Sequence, residues 1–382
     1  MNLETTRRNS GPRLIWCARL FLVTAVSLGM TAVAYAKDYG EPGEPIDLVI
    51  GYQPYYTEAW SGMVMRGKEF WRKYLPEGSK VEFQIGLQGS IIVNAMLAGK
   101  QDIGYMGDMP AIVATTKERV SDVRMVGVAG LAWDQCNVFL VRNDAPEFAD
   151  SKEALQWLNG KRLAAPKGAC ADRYVEAVFQ SENIEPAAYL NQNIEVITSG
   201  FKAGKLDAAA IWEPTASKLV DEGLARRVAS GYSVDENDGA FVTMRADLIE
   251  QRPDIVKAWL NAELDAQLFL ADPANAAEVA ALAEAQTTGF TEKQLWMSFT
   301  GAYSPKEGGG SERLLLEFAF TERAKELISR AAKFLHGIKA IHVETLRPEA
   351  IMPQFTEEIL KERGLEAPIG TVKSQPASAF PG

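Results

Sequence analysis

Histidine and cysteine are scarce in this chain: two of the first and three of the second in 382 residues. His336 and His342 stand six apart, a spacing that does not bring both to one helical face, whereas helical zinc pairs sit three or four apart. No metal centre and no cofactor are expected. No G-x-S-x-G turn, Walker loop or G-x-G-x-x-G follows a strand, so hydrolase, nucleotide and dinucleotide chemistry lack their usual sequence basis, and no catalytic residue is assigned. "GGGSER" (308–313) reads as a linker between C-terminal helices. After residue 36 no apolar run is long enough to span a bilayer.

What is present begins with "MNLETTRRNSGPRLIWCARLFLVTAVSLGMTAVAYAKD". An arginine-bearing start, an apolar run from Leu20 to Ala34 and the small-x-small site Ala34-Tyr35-Ala36 read as a secretory signal peptide cut after Ala36. Arg7-Arg8 hints at a twin-arginine signal, but Asn9-Ser10-Gly11 lacks the usual apolar pair, so Sec export is at least as well supported. Cys17 lacks the small residues a lipobox places before its cysteine. The expected location is periplasmic, with a soluble mature chain. Removing four Arg and one Glu (net +3) moves the formal charge from -10 to -13. So acidic an export product does not suit nucleic acid. Its 346 residues (382 minus 36) exceed what one compact core usually carries, so two lobes are expected.

Strand-like and helix-like segments alternate. "IDLVIGY" is a strand, Trp60 to Tyr74 repeats at helical spacing, "VEFQIG" alternates with period two, and Ser90 opens a helix that Gly99 ends. "DIGYM", a helix from Asp108 and "VRMVGVA" follow. The same grammar restarts at Asn143: helix 151–158, "RLAAP", a helix after "KGACAD", "IEVIT" as a strand, "DAAAIW", a helix after Glu213-Pro214, and "RRVAS". The C-terminal third reads as amphipathic helices, including "RLLLEFAFTERAKELISRAAKFLHGI". The fold class is therefore α/β, with two lobes, each a mostly parallel sheet flanked by helices.

One phrase occurs twice. "AGKQDIGYMGDMPA" (98–111) returns as "AGKLDAAAIWEPTA" (203–216), with Asp102 and Asp207 each followed six residues later by an acid, Asp108 and Glu213. Each copy ends a helix, turns on Gly-Lys, and runs through a buried strand to an acid at the start of the next helix. Ligands of open α/β sheets bind outside the carboxyl ends of strands, where helix N-termini point free N–H groups outward. Two such edges facing one another make a cleft.

Nearly the whole mature chain, from "IGYQPYYTEAW" through "QGSIIVNAMLAGKQDIGYMGDMPAIVA" and "RLAAPKGACADRYVEAVFQSENIEP" to "GKLDAAAIWEPTASKLVDEG", resembles the solute-binding proteins of ATP-driven importers in the nitrate, sulfonate and taurine group, relatives of the thiamine-pyrimidine binders. The resemblance implies a type II periplasmic-binding-protein fold, with crossings near 136–144 and 233–247 and the C-terminal region returning to the first lobe, so lobe 1 is expected over 37–142 and 236–382 and lobe 2 over 143–235. It also implies a monomer that delivers a small organic anion to the membrane permease and ATPase subunits of an ABC importer. A sensory ligand binder and a pyrimidine-related enzyme on the same fold are the alternatives.

The family's ligand loops fall on Gln53, on Gln88-Gly89-Ser90, on Asp108, on Lys167 to Ala171 with Cys170 among them, and on Trp212-Glu213. Ser90 can donate to an oxyanion or merely cap its own helix; Asp108 and Glu213 can face the ligand or merely start their helices. Tyr55, Tyr56 and Trp133 crowd the same rims as possible walls. Cys136 and Cys170 form a disulfide or remain two buried thiols, and spacing does not decide between them.

Overall fold

The structure is a computed structural model and describes residues 37–382; the expected signal peptide lies outside the described residues. The first half of lobe 1 runs β1 Asp47–Tyr52, α1 Trp60–Lys68, β2 Lys80–Ile85, α2 Gly89–Leu97, β3 Ile103–Gly107, α3 Asp108–Thr115 and β4 Val123–Ala132. The chain then crosses to a second sheet: β5 Val138–Arg142, α4 Ser151–Trp157, β6 Arg162–Ala165, α5 Cys170–Glu182, β7 Ala188–Asn191, α6 Ile194–Lys202, β8 Ala208–Ile211, α7 Thr215–Asp221 and β9 Ala225–Ser230. It returns as β10 Asp238–Arg245, α8 Ala246–Gln251, α9 Pro253–Ala271, α10 Ala276–Glu284, α11 Glu292–Thr300, β11 Glu312–Leu316, α12 Glu322–Gly337, α13 Gln354–Arg363 and β12 Gly370–Lys373.

The larger sheet has the order β12-β11-β4-β10-β3-β1-β2 and the smaller β7-β6-β8-β5-β9. The pairings make β1 to β4 and β12 run one way, against β10 and β11, while in the second sheet β5 alone runs against the other four. The sheets are therefore mostly codirectional; the first strand after each crossing reverses, and in the larger sheet β11 reverses as well. β5 joins the second sheet, although the boundary read from sequence placed it before residue 143; its Val138 to Val141 are buried between β8 and β9 and belong to that core.

Each sheet is covered on both faces. In lobe 1, Ile92, Met96, Met109, Ile112 and Leu327 join α2, α3 and α12 in one apolar layer, while Trp60, Met63 and Trp259 of α1 and α9 fill the other. In lobe 2, Ile197, Phe201 and Leu219 of α6 and α7 pack one face, and Leu155, Tyr174 and Val178 of α4 and α5 the opposite one.

Three local expectations change. "IEVIT" is the start of α6, because Asn193 caps it by accepting from Val196 N (2.9 Å), and Ile197 and Phe201 repeat at helical spacing. The helix from Trp60 stops at Lys68, where Glu69 turns left-handed at φ 53° before a short 3-10 turn. "RLLL" belongs to strand β11, buried beside β4, rather than to a helix.

"GGG" is not a free linker. A Cβ on Gly308, which sits at φ +73°, would lie 2.2 Å from Ser230 N. The glycine lets a loop of the returning chain press against β9 and the start of α4, where Arg227 Nε donates to Glu307 O (3.1 Å) and Ser151 Oγ to Pro305 O (3.1 Å).

Candidate ligand-binding site

A cavity of about 270 Å³ opens between the lobes. Lobe 1 contributes Gln53 and Tyr56 after β1, Gln88, Gly89 and Ser90 at the start of α2, and Pro110 of α3. Val93, Asn94, Gly107 and Val113 complete that wall. Lobe 2 contributes Lys167, Gly168, Ala169 and Cys170 at the start of α5, with Pro166 and Trp212 at the ends of β6 and β8. Eight of the twelve site residues expected from sequence thus line one cavity.

The start of α2 is built by close packing. A Cβ on Gly89 would lie 2.3 Å from Pro110 Cγ, so the glycine admits α3 and brings the two helix starts together. Gln88 is the extended N-cap residue and makes no side-chain cap bond. Ser90, the second helical residue, therefore does not cap this helix, and its side chain is exposed at the cavity. Across the cleft Ala169 caps α5, again without a side-chain bond. Among the described residues the N–H groups of Gly89, Ser90 and Cys170 have no acceptor. First-turn amides point outward along the axis, so one anion-favouring end comes from each lobe.

Charge and polarity agree. Lys167 is the one ionisable side chain in the lining besides the Tyr56 phenol; its ammonium rests 4.1 Å above the Tyr189 ring and its N–H donates to Asn191 Oδ1 (3.1 Å). Gln53 is only 6 % exposed and its Oε1 has no partner. A buried amide without a partner is costly, and rotation can turn either its oxygen or its N–H₂ toward a ligand.

The disulfide left open by the sequence is formed: Cys136 and Cys170 are bonded, with Cα atoms 6.1 Å apart. It ties the start of α5 to the crossing between β4 and β5.

The two acids of the repeated phrase do not line the cavity. Asp108 is fully buried; its Oδ1 accepts from Met109 N (2.7 Å) and its Oδ2 from Arg173 Nη2 of α5 (2.8 Å). Glu213 is equally buried; its Oε2 accepts from Ser217 N (2.8 Å), and its Oε1 from Arg227 (3.3 Å) and from Arg313 of β11 (3.4 Å). Both arginines also bond Asp134. Burial raises the pKa of both acids and the facing guanidiniums oppose it. Each acid thus pairs with an arginine from the opposite lobe.

Two expected aromatics also lie elsewhere. Tyr55 takes part in a neighbouring cavity, its OH accepting from Thr288 N (3.0 Å). Trp133 stacks on Tyr232 at 5.7 Å and donates to Asp235 Oδ1 (3.3 Å), away from the lining. Pro110, Asn94 and Val113 were not anticipated, although the helical spacing of Ser90, Val93 and Asn94 puts them on one face of α2.

Beneath Tyr56 lies a second buried acid group. The phenol bonds Glu58, and Asp238 at the start of β10 lies within reach (3.4 Å). Burial and the nearby Asp238 hold Glu58 well above the usual carboxylate range, and burial pushes Asp238 up to about 8.

Two α/β lobes on reversing crossings, with a cleft at the strand ends, define a type II periplasmic-binding-protein fold. A family model described as NMT1-like matches residues 41–284, and the chain belongs to that family. It is 23% identical over 255 residues to the taurine-binding periplasmic protein of Escherichia coli (strain K12), covering 65% of this chain and 74% of that one. Among solved structures, the alkanesulfonate-binding protein SsuA from Xanthomonas axonopodis pv. citri bound to MOPS superposes with a TM-score of 0.62 at 20% identity, over 81% of this chain and 98% of that one. The desulfurization enzyme DSZB also shares the fold, with a TM-score of 0.61 at 16% identity, over 83% of this chain and 99% of that one.

Proposed function

We propose that this protein is an extracytoplasmic receptor that captures a small organic anion, a sulfonate or related acid, and hands it to the permease and ATPase subunits of an ABC importer. The observation that carries the reading is the pair of helix starts, one per lobe, aimed into a cavity whose one charged group is Lys167. Ser90, the nearby amides and the unpartnered Gln53 supply hydrogen bonds to the head group. The names of the relatives, a taurine-binding and an alkanesulfonate-binding protein, support the same ligand class.

We read it as a receptor rather than an enzyme, although a desulfurization enzyme shares the fold. Cys170 is held in a disulfide, so its sulfur is not a thiolate nucleophile, and Asp108 and Glu213 are committed to arginines away from the cavity.

A thermal-shift panel tests this. Sulfonates, nitrate, bicarbonate, aromatic acids and pyrimidines are added to the purified protein, and a sulfonate at a hundredfold excess over Kd should stabilise it by about 2.7 kcal/mol. No shift with any sulfonate, or turnover of one, counts against the receptor reading.

A further inference from the structure

A second cavity, about 390 Å³, adjoins the first and shares Gln88 and Trp212 with it. Its walls combine the apolar and aromatic side chains of Tyr55, Leu87, Ile194, Trp212 and Phe290 with three threonines, Gln88, Glu195 and Lys218. Tyr55 and Phe290 lie with ring centroids 6.0 Å apart, and Lys218 holds its ammonium 4.8 Å above Phe290 while bonding Gly289 O. Leu87 reaches in from the loop before α2 and Ile194 from the start of α6. Leu87 is 54% exposed, a large apolar side chain at the mouth with no protein covering it.

From these features we infer that the preferred ligand is an oxyanion with an uncharged apolar or aromatic arm, the head in the first cavity and the arm in the second. The inference rests on the anion-receptor reading above and specifies which anion. The first cavity surrounds the head with amides, Ser90 and Lys167 and offers no carboxylate. Asp108 and Glu213, the acids that would pair with an amine, are fully buried against arginines. An ammonium two carbons from the head would be desolvated there without a counter-charge. Among the described residues Glu195, exposed on α6, is the one carboxylate lining either cavity, and it lines the second and not the first. An apolar arm passing Trp212 instead meets Leu87, Ile194 and the Tyr55–Phe290 pair.

Titration calorimetry of the purified protein with four compounds tests this: ethanesulfonate, hexanesulfonate, 4-toluenesulfonate and taurine. Burying two extra methylenes is enough for about a tenfold gain, so hexanesulfonate and 4-toluenesulfonate should each bind at least about tenfold tighter than ethanesulfonate. Taurine should bind no tighter than ethanesulfonate. Thr198→Trp, which fills the second cavity, should bring the hexanesulfonate-to-ethanesulfonate ratio to about one; Leu87→Asn, which keeps the cavity but removes its apolar lip, should lower the ratio by about threefold. Equal affinity for the short and long sulfonates overturns the inference while leaving the receptor reading intact. So does taurine binding about tenfold tighter than ethanesulfonate, the more so if Glu195→Gln abolishes the gain. Absence of binding by all four overturns both.

Discussion

The two copies of the repeated phrase perform the same two tasks with different thoroughness. In each, a glycine in the left-handed region ends a helix: Gly99 at φ +68° and Gly204 at φ +62°, with the next amide returning to the helix (Lys100 N to Ala95 O, 2.8 Å; Lys205 N to Gly200 O, 2.9 Å). In each, the first acid clasps the start of the adjacent strand twice. Asp102 N donates to Val49 O (2.8 Å) and its carboxylate accepts from Val49 N (2.8 Å); Asp207 N donates to Arg162 O (3.0 Å) and its carboxylate accepts from Arg162 N (2.8 Å). The second acid then meets an arginine of the other lobe.

The copies differ in how much each acid gathers. Asp102 is buried and also accepts from Tyr39 OH and Lys37, whereas the Asp207 side chain is 23% exposed and its ion pair with Arg142 is long, at 3.4 Å. Asp108 faces one arginine, while Glu213 shares two with Asp134. The repetition thus sets two strands and joins two lobes, and in the proposed reading ligand contact falls to the neighbouring helix starts.

The harshest way to break the comparison is Arg313→Ala. It removes one of the two arginines serving both Asp134 and Glu213, and losing one partner of a buried ion pair costs about 3–5 kcal/mol, read as a lower urea midpoint. Arg173→Ala on the other side takes from Asp108 its one arginine and leaves it the Met109 amide, as Glu213 keeps that of Ser217, so its loss should fall in the same range. Next comes the disulfide: the Cys136→Ser, Cys170→Ser double variant should lose about 2–4 kcal/mol by the same readout.

The strand clasps are smaller and sharpen the contrast between copies. Asp102→Ala leaves Val49 N unpaired in a half-buried place and should cost about 1–3 kcal/mol; Asp207→Ala, at a wetter site, should cost less. Equal losses would erase the distinction drawn between the copies.

A pH series reads the acids beneath Tyr56. With Asp238 raised to about 8 in the folded protein and ionising near the ordinary 3.8 when unfolded, the folded chain holds more protons across that interval. Its contribution to stability is complete below about 4 and is lost as pH rises to about 8. Asp238→Asn should flatten the fall in urea midpoint between pH 5 and pH 8, and an unchanged slope would remove Asp238 as its source.

Much of this was legible in the sequence. Strand and helix alternation and the restart of the pattern at Asn143 follow from local pattern, because strand ends and helix starts carry their own residue signatures, whereas the return of the chain after 235 and the loops around Gln53, Gln88-Gly89-Ser90 and Lys167 rest on the family resemblance. What was not legible depends on partners far apart in the chain. Asp108 and Glu213 look alike at a ligand-facing or a lobe-joining address, and the arginines that hold them, Arg173 and Arg313, lie 65 and 100 residues away. "GGG" reads as flexible by composition, yet the closeness of β9 makes Gly308 a packing requirement. Neither Asn193 as a cap nor "RLLL" as a strand stands out until the neighbouring elements are known.

The central claim is that helix starts hold the anion while the repeated acids hold the lobes, and the affinity of Asp108→Asn beside Ser90→Ala for ethanesulfonate tests it most directly. Asn keeps an oxygen for Met109 N and Arg173, so Asp108→Asn should stay within about twofold of the parent, whereas Ser90→Ala should weaken binding by roughly 0.5–3 kcal/mol with little change in stability. The contrary result, Asp108→Asn losing more affinity than Ser90→Ala, would put the repeated acid at the ligand and contradict the account.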